Sequence, residues 1–318
     1  MSLTNLIEDN PDIKKKFPLL KPFLKNQHNE IIVKDAWKSP ITVKSIGKYH
    51  EPGQIGTAFD YVVRALLAEK IGSVNSEKEL IAEKGLKLFP NVIDVPIFPT
   101  GDFIIDNERL LGCKKVSKNL KEVLDFLQNR LSKALSHRKK FINKECSLNQ
   151  VISDSIFLAK LDETFRTKSI HVADYFFQET EGKTYFSQRR TITDQDMVDN
   201  ISQLAEVFCV FLETVSWRDL SLNPTFGEYS AIVGGADADF IADNCVVDLK
   251  TSSKLDYKGD DFAQVLGYAV MARMAGYEIQ QVAIYYARYG FYASLDLATL
   301  GDDFLDNYWD VLLQKATE

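Results

Sequence analysis

Through the first two thirds of the chain apolar residues recur at helical spacing, and after Trp217 they switch to short alternating runs. The helical spacing predicts a helix opening at Gly56-Thr57 and running through Lys70, and a second over SEKELIAEKGLKLF with Ser76 as its N-cap. Longer helices are predicted from Ser117 to Lys144, from Ser147 to Phe177 and from Thr193 to Trp217. From Phe226 to Thr251 small and β-branched residues are punctuated by Gly234-Gly235 and Asp243-Asn244, dipeptides suited to two-residue hairpin turns. They predict a three-stranded meander. A helix from Asp260 to Gly276, strands at QVAIYYA and FYASLDL, and a closing helix over DDFLDNYWDVLLQK complete the pattern. The order βββαβ with flanking helices indicates an α/β (α+β) protein built on a mixed sheet. Without a repeat, a low-complexity tract or a Pro/Gly/Ser linker, the chain is expected to be a single domain over 1–318. Residues 1–217 form its helical region, with helix 56–70 joining the core and 115–217 inserted; 218–318 hold the meander and core.

Alternation along a strand, combined with the two turns, fixes which residues share a face. One face takes Tyr229, Ala231, Val233, Ala236, Ala238, Phe240, Ala242, Cys245, Val247 and Leu249, all compatible with a core. The other takes Glu228, Ser230, Ile232, Asp237, Asp239, Ile241, Val246, Asp248 and Lys250. In this register Asp239 stands across from Asp248, and Asp237 across from Lys250. Opposed carboxylates repel, and Asp is a poor strand former, so the pattern needs a reason beyond folding. A divalent cation supplies one, because Mg²⁺ binds through one or two carboxylates, waters and substrate phosphates. Lys250 would then stabilise charge on a phosphate or orient the attacking water.

Composition narrows the class. With 318 residues, 45% of them hydrophobic and 26% charged, the chain reads as globular and large enough for a substantial core. No apolar run suits a membrane span or the core of a signal peptide, so a cytoplasmic location is expected. Cys113, Cys146, Cys209 and Cys245 lack the paired spacing of zinc or iron–sulfur sites. The net charge of −7 excludes binding of nucleic acid through a global positive field. Local basic runs remain as candidates: Lys14 to Lys16, Arg138 with Lys139 and Lys140, and Arg189 with Arg190.

The stretch GGADADFIADNCVVDLKTS, followed by Gln264 and Tyr268, resembles the PD-(D/E)xK nuclease superfamily and, within it, the RecB-like exonuclease branch. The resemblance implies a restriction-endonuclease-like core and Mg²⁺- or Mn²⁺-dependent hydrolysis of DNA, with a helicase or recombination protein as a possible partner. The D-x-K positions fall on Asp248 and Lys250, and Q-x-x-x-Y on Gln264 and Tyr268. The family's G-x-x-D spacing selects Asp237 as the first metal ligand, whereas the hairpin register selects Asp239; both stay candidates. The helix IGTAFDYVVRALLAEK is similar to an upstream helix of the branch that carries a metal-binding His, here replaced by Asp60. Asp60 is equally placed to pair with Arg64 one turn on. Glu228 resembles an acidic residue that some members carry before the metal Asp. The helices between 115 and 217 resemble nothing in the family, and no G-x-x-x-x-G-K-[ST] phosphate loop is present. Two rivals stand beside the nuclease reading: an inactive nuclease fold that binds DNA or a protein, and a helical scaffold whose acids serve solubility.

Overall fold

The computed structural model describes residues 3–11, 13, 20–45, 52–71, 80–92, 116–167, 177–180, 183–186, 195–301 and 303–318. The chain groups into two compact units, one of residues 1–45 with 206–318 and one of residues 46–205. Residues 1–45 therefore group with the sheet, and the helix carrying Asp60 lies in the other unit.

The elements, in chain order, are helices α1 (Leu3–Asp9), α2 (Pro52–Ile71), α3 (Ile81–Val92), α4 (Val116–Ile142) and α5 (Leu148–Thr167), a hairpin of β1 (Phe177–Thr180) and β2 (Lys183–Phe186), and α6 (Gln195–Leu212). They continue with β3 (Leu220–Leu222), α7 (Glu228–Ile232), β4 (Phe240–Ala242), β5 (Cys245–Lys250), α8 (Gly259–Met274), β6 (Gln281–Tyr286), β7 (Phe291–Asp296) and α9 (Phe304–Thr317).

In the unit of residues 46–205, α5 packs against α2, α3 and α4. Gly85 lets α3 approach α5 closely, since a Cβ there would stand 1.9 Å from the Leu161 carbonyl oxygen. The interior is unusually polar. The Tyr61 hydroxyl donates to Asp162 at 2.9 Å, and Arg166 Nε donates to the same carboxylate. Arg138, expected among the surface basic runs, is buried and donates to the Tyr61 carbonyl at 2.7 Å. Arg64 is 1% exposed and ion-paired with Asp60. Burial alone would lower the Arg64 pKa, but Asp60 beside it reverses the effect and the net shift is upward. Asp60→Ala should accordingly destabilise the protein by roughly 3 kcal/mol, because it leaves a buried guanidinium without this carboxylate. Urea unfolding checks this, and an unchanged midpoint would remove the pair from the stability of α2.

In the other unit, β3 to β7 form one sheet in sequence order. All neighbours are antiparallel except β5 and β6, which run parallel and are joined through α8. The Asp243-Asn244 turn is as predicted: Ala242 pairs with Cys245, and Asp243 takes φ of 49°. The first strand of the meander is not. Residues 228–232 form α7, and Gly234-Gly235 ends that helix, the Gly234 amide donating to Ala231 and the Gly235 amide to Ser230. This pair of bonds is the Schellman arrangement, which uses the same positive φ as a hairpin turn. The strand beside β4 is β3, and their register continues to a bridge between Thr225 and Asp237.

Both faces of this sheet are covered. Ile241, Val246, Val282, Ile284, Tyr286, Ala293 and Leu295 share one core with α1, α8 and α9. On the opposite face Tyr285 packs against Phe208 and Phe211, Phe211 against Tyr292, and Trp217 against Phe240. The face carrying Asp248 and Lys250 therefore lies under α8. Two further expectations change: Phe177, taken as the end of a long helix, starts a strand, and α6 ends at Leu212, before Trp217. Ser76, Lys14 to Lys16 and Arg189 with Arg190 lie outside the described residues. Among the described residues no helix is long and apolar enough to cross a membrane.

Candidate active site

Asp248 sits in the middle strand of the sheet and is 5% exposed. Its Oδ2 lies 2.9 Å from Lys250 Nζ in an ion pair, and among the described residues this buried oxygen has no other partner. Lys250 shares its face because the two are two residues apart on one strand. Its ammonium donates to Gln264 Oε1 at 2.8 Å and has Asp261 Oδ1 at 3.8 Å. Gln264 in turn donates to the Tyr268 hydroxyl at 2.8 Å. Helical spacing explains the set: Asp261, Gln264 and Tyr268 recur three and four residues apart along α8, so all face the β5 strand beneath.

Asp239 stands where the β4–β5 ladder ends. Its Oδ2 accepts a hydrogen bond from the Leu249 amide at 2.6 Å, so the side chain replaces the main-chain partner that a longer β4 would offer. Asp237, one pleat earlier, is held by the bridge to Thr225. Both acids reach Tyr268 electrostatically.

The charges of the site reinforce one another. Burial lowers the Lys250 pKa, but Asp248, Asp261 and Asp239 outweigh it and the net shift is upward, so the side chain stays an ammonium. A group held in that state acts as a charge stabiliser and not as a base. Tyr268 is pushed well above its ordinary value by burial and then by Asp248, Asp239 and Asp237, so its phenol keeps its proton and remains a donor. Burial raises the Asp261 pKa against the opposing pull of Lys250.

Asp248, Lys250, Gln264 and Tyr268 are thus brought together, with Asp239 and Asp237 at the end of the neighbouring strand. Two of the other sequence candidates are placed differently. Glu228 is exposed on α7 and does not precede Asp237 on a strand. Asp60 forms the ion pair with Arg64. Asp261 escaped the sequence reading, although its position three residues before Gln264 was the available signal. Tyr286 also escaped it; it pairs with Lys250 across the parallel ladder.

Among the described residues no three His, Cys, Asp or Glu side chains stand close enough together to hold a metal ion. Two carboxylates suffice for Mg²⁺ when waters and a substrate phosphate complete its shell, and Asp248 with Asp239, opposed in the β4–β5 register, fit that role. Scans of the chain against family models, curated proteins and solved structures found no match.

Proposed function

We propose that this chain is a metal-dependent deoxyribonuclease of the RecB-like type, with a restriction-endonuclease-like core formed by the mixed sheet and its flanking helices. The observation that supports it best is the buried ion pair of Asp248 and Lys250 on one strand, with Asp239 opposite Asp248 in the β4–β5 register. Two carboxylates facing each other beside a single ammonium leave an excess of negative charge, which a divalent cation would neutralise.

On this reading Asp248 and Asp239 would hold Mg²⁺ or Mn²⁺, with Asp237 as the alternative to Asp239. The bound ion supplies a water of lowered pKa and charge stabilisation at the phosphate. Lys250, kept charged by its acidic neighbours, steadies the negative charge that builds on the attacked phosphate. Gln264 holds the ammonium in place, and the protonated Tyr268 donates to a phosphate oxygen or to the water. Asp60 and Glu228 have no part in this scheme.

The test is incubation of the full chain with linear and circular, single- and double-stranded DNA under Mg²⁺, Mn²⁺ and a chelator. Metal-dependent degradation is expected, and confinement to linear substrates would mark an exonuclease. Absence of cleavage of every substrate would abandon catalysis in favour of a nuclease fold that only binds DNA or a protein.

A further inference from the structure

The Gln264 amide has a third partner that belongs to neither β5 nor α8. Its Nε2 donates to Thr4 Oγ1 at 2.8 Å, across nearly the whole length of the chain. The orientation of the amide is dictated by its partners. Lys250 has three N–H donors and no lone pair, so only the amide oxygen can face it. Both Nε2 protons then point the other way, and the two hydroxyl oxygens of Thr4 and Tyr268 receive one each. Both donors of the amide are used, and no flip of the group keeps all three bonds.

The fold brings α1 to this place by a separate device. Leu3, Leu6 and Ile7 are buried in the core shared with α8. Gly267, one residue before Tyr268, is what allows the approach: a Cβ there would stand 3.0 Å from Leu3 Cδ2. The start of α1 is also anchored to the glycine turn before Asp237, the Leu3 amide donating to the Gly235 carbonyl.

We infer that Thr4 is a positioning residue for Lys250, acting through the Gln264 amide that it locks with the oxygen towards the ammonium. The inference rests on the nuclease reading of this site for its consequence on rate, while the lock itself is a matter of geometry. With the Thr4 acceptor removed, one amide proton is left without its partner and the NH₂ end is held by Tyr268 alone. Lys250 then samples positions away from the phosphate. The effect belongs in kcat and not in KM, since Thr4 touches no substrate.

The experiment compares the full chain with Thr4→Val, which keeps the shape and deletes the hydroxyl, and Thr4→Ser, which keeps the hydroxyl. Hydrogen exchange of the isotope-labelled Gln264 side-chain amide is one readout and steady-state cleavage is the other. Both amide protons should be protected in the wild type and in Thr4→Ser, and one should lose protection in Thr4→Val. The kcat of Thr4→Val should fall about fivefold with KM unchanged, and Thr4→Ser should restore it. Unchanged exchange in Thr4→Val overturns the inference, as does wild-type kcat in a variant whose amide has been released, or an effect confined to KM. If the wild type cleaves no DNA, the nuclease reading fails, and the exchange data alone decide whether Thr4 locks the amide.

Discussion

Cleavage should fall by about a thousandfold or more in Asp248→Asn, because a neutral amide cannot supply the anionic ligand, an effect worth several kcal/mol at the transition state. The fold should survive. The substitution leaves the side-chain volume nearly unchanged, and Lys250 would retain Gln264 and Asp261 as partners. The measurement is a paired one, single-turnover cleavage and thermal unfolding on the same preparation. Activity within about tenfold of the wild type in a folded variant would remove Asp248 from the chemistry, and with it the assignment of this site. A collapse of unfolding cooperativity would instead make Asp248 a structural partner of Lys250.

The second large effect lies away from the site. Gly85→Ala should destabilise the protein by at least about 2 kcal/mol, since the new methyl group meets main-chain atoms of α5 and no flexible side chain can yield. A melting temperature roughly 5 °C lower is the expected size for a unit of this length. The Cβ also approaches the Leu161 carbonyl carbon at 2.7 Å, so relief requires α3 to move away from α5. A variant melting with the wild type would mean that the helices can separate at no cost.

Much of the sheet was legible because its signals were local. The Asp243-Asn244 turn fixed the β4–β5 register, and that register put Asp248 and Lys250 on one face and Asp239 next to them. Helical spacing in α8 likewise put Gln264 and Tyr268 on one side. The misreadings arose where one local signal serves two structures. Positive φ at Gly234 and Gly235 suits a hairpin turn and a helix stop alike, and the competing strand β3 is only three residues long, too short for alternation to declare it. The hairpin of β1 and β2 goes unread because the predicted helix is carried to its first residue, Phe177, and nothing is assigned from there up to Thr193, although the run around Gly182 carries the β-branched and aromatic residues of a hairpin. What no sequence pattern carried was contact across long separations: Thr4 at Gln264, Tyr61 at Asp162, and the burial of Arg138.

Those long separations also bear on how the protein comes to be made. The Lys25 amide and carbonyl pair with Ser294 on β7, and α1 packs on α8, so α1 and Lys25 have partners that are synthesised much later. On the ribosome the early segment, with its apolar Leu3, Leu6 and Ile7, must wait while residues 46–205, which form a compact unit of their own, emerge and fold. Only after α8 has appeared can α1 pack on it, and only after β7 can Lys25 pair with Ser294. The site that contains Thr4 therefore forms only once α8 has been synthesised. A chain interrupted before α8 would expose the hydrophobic face of α1 to chaperones and proteases.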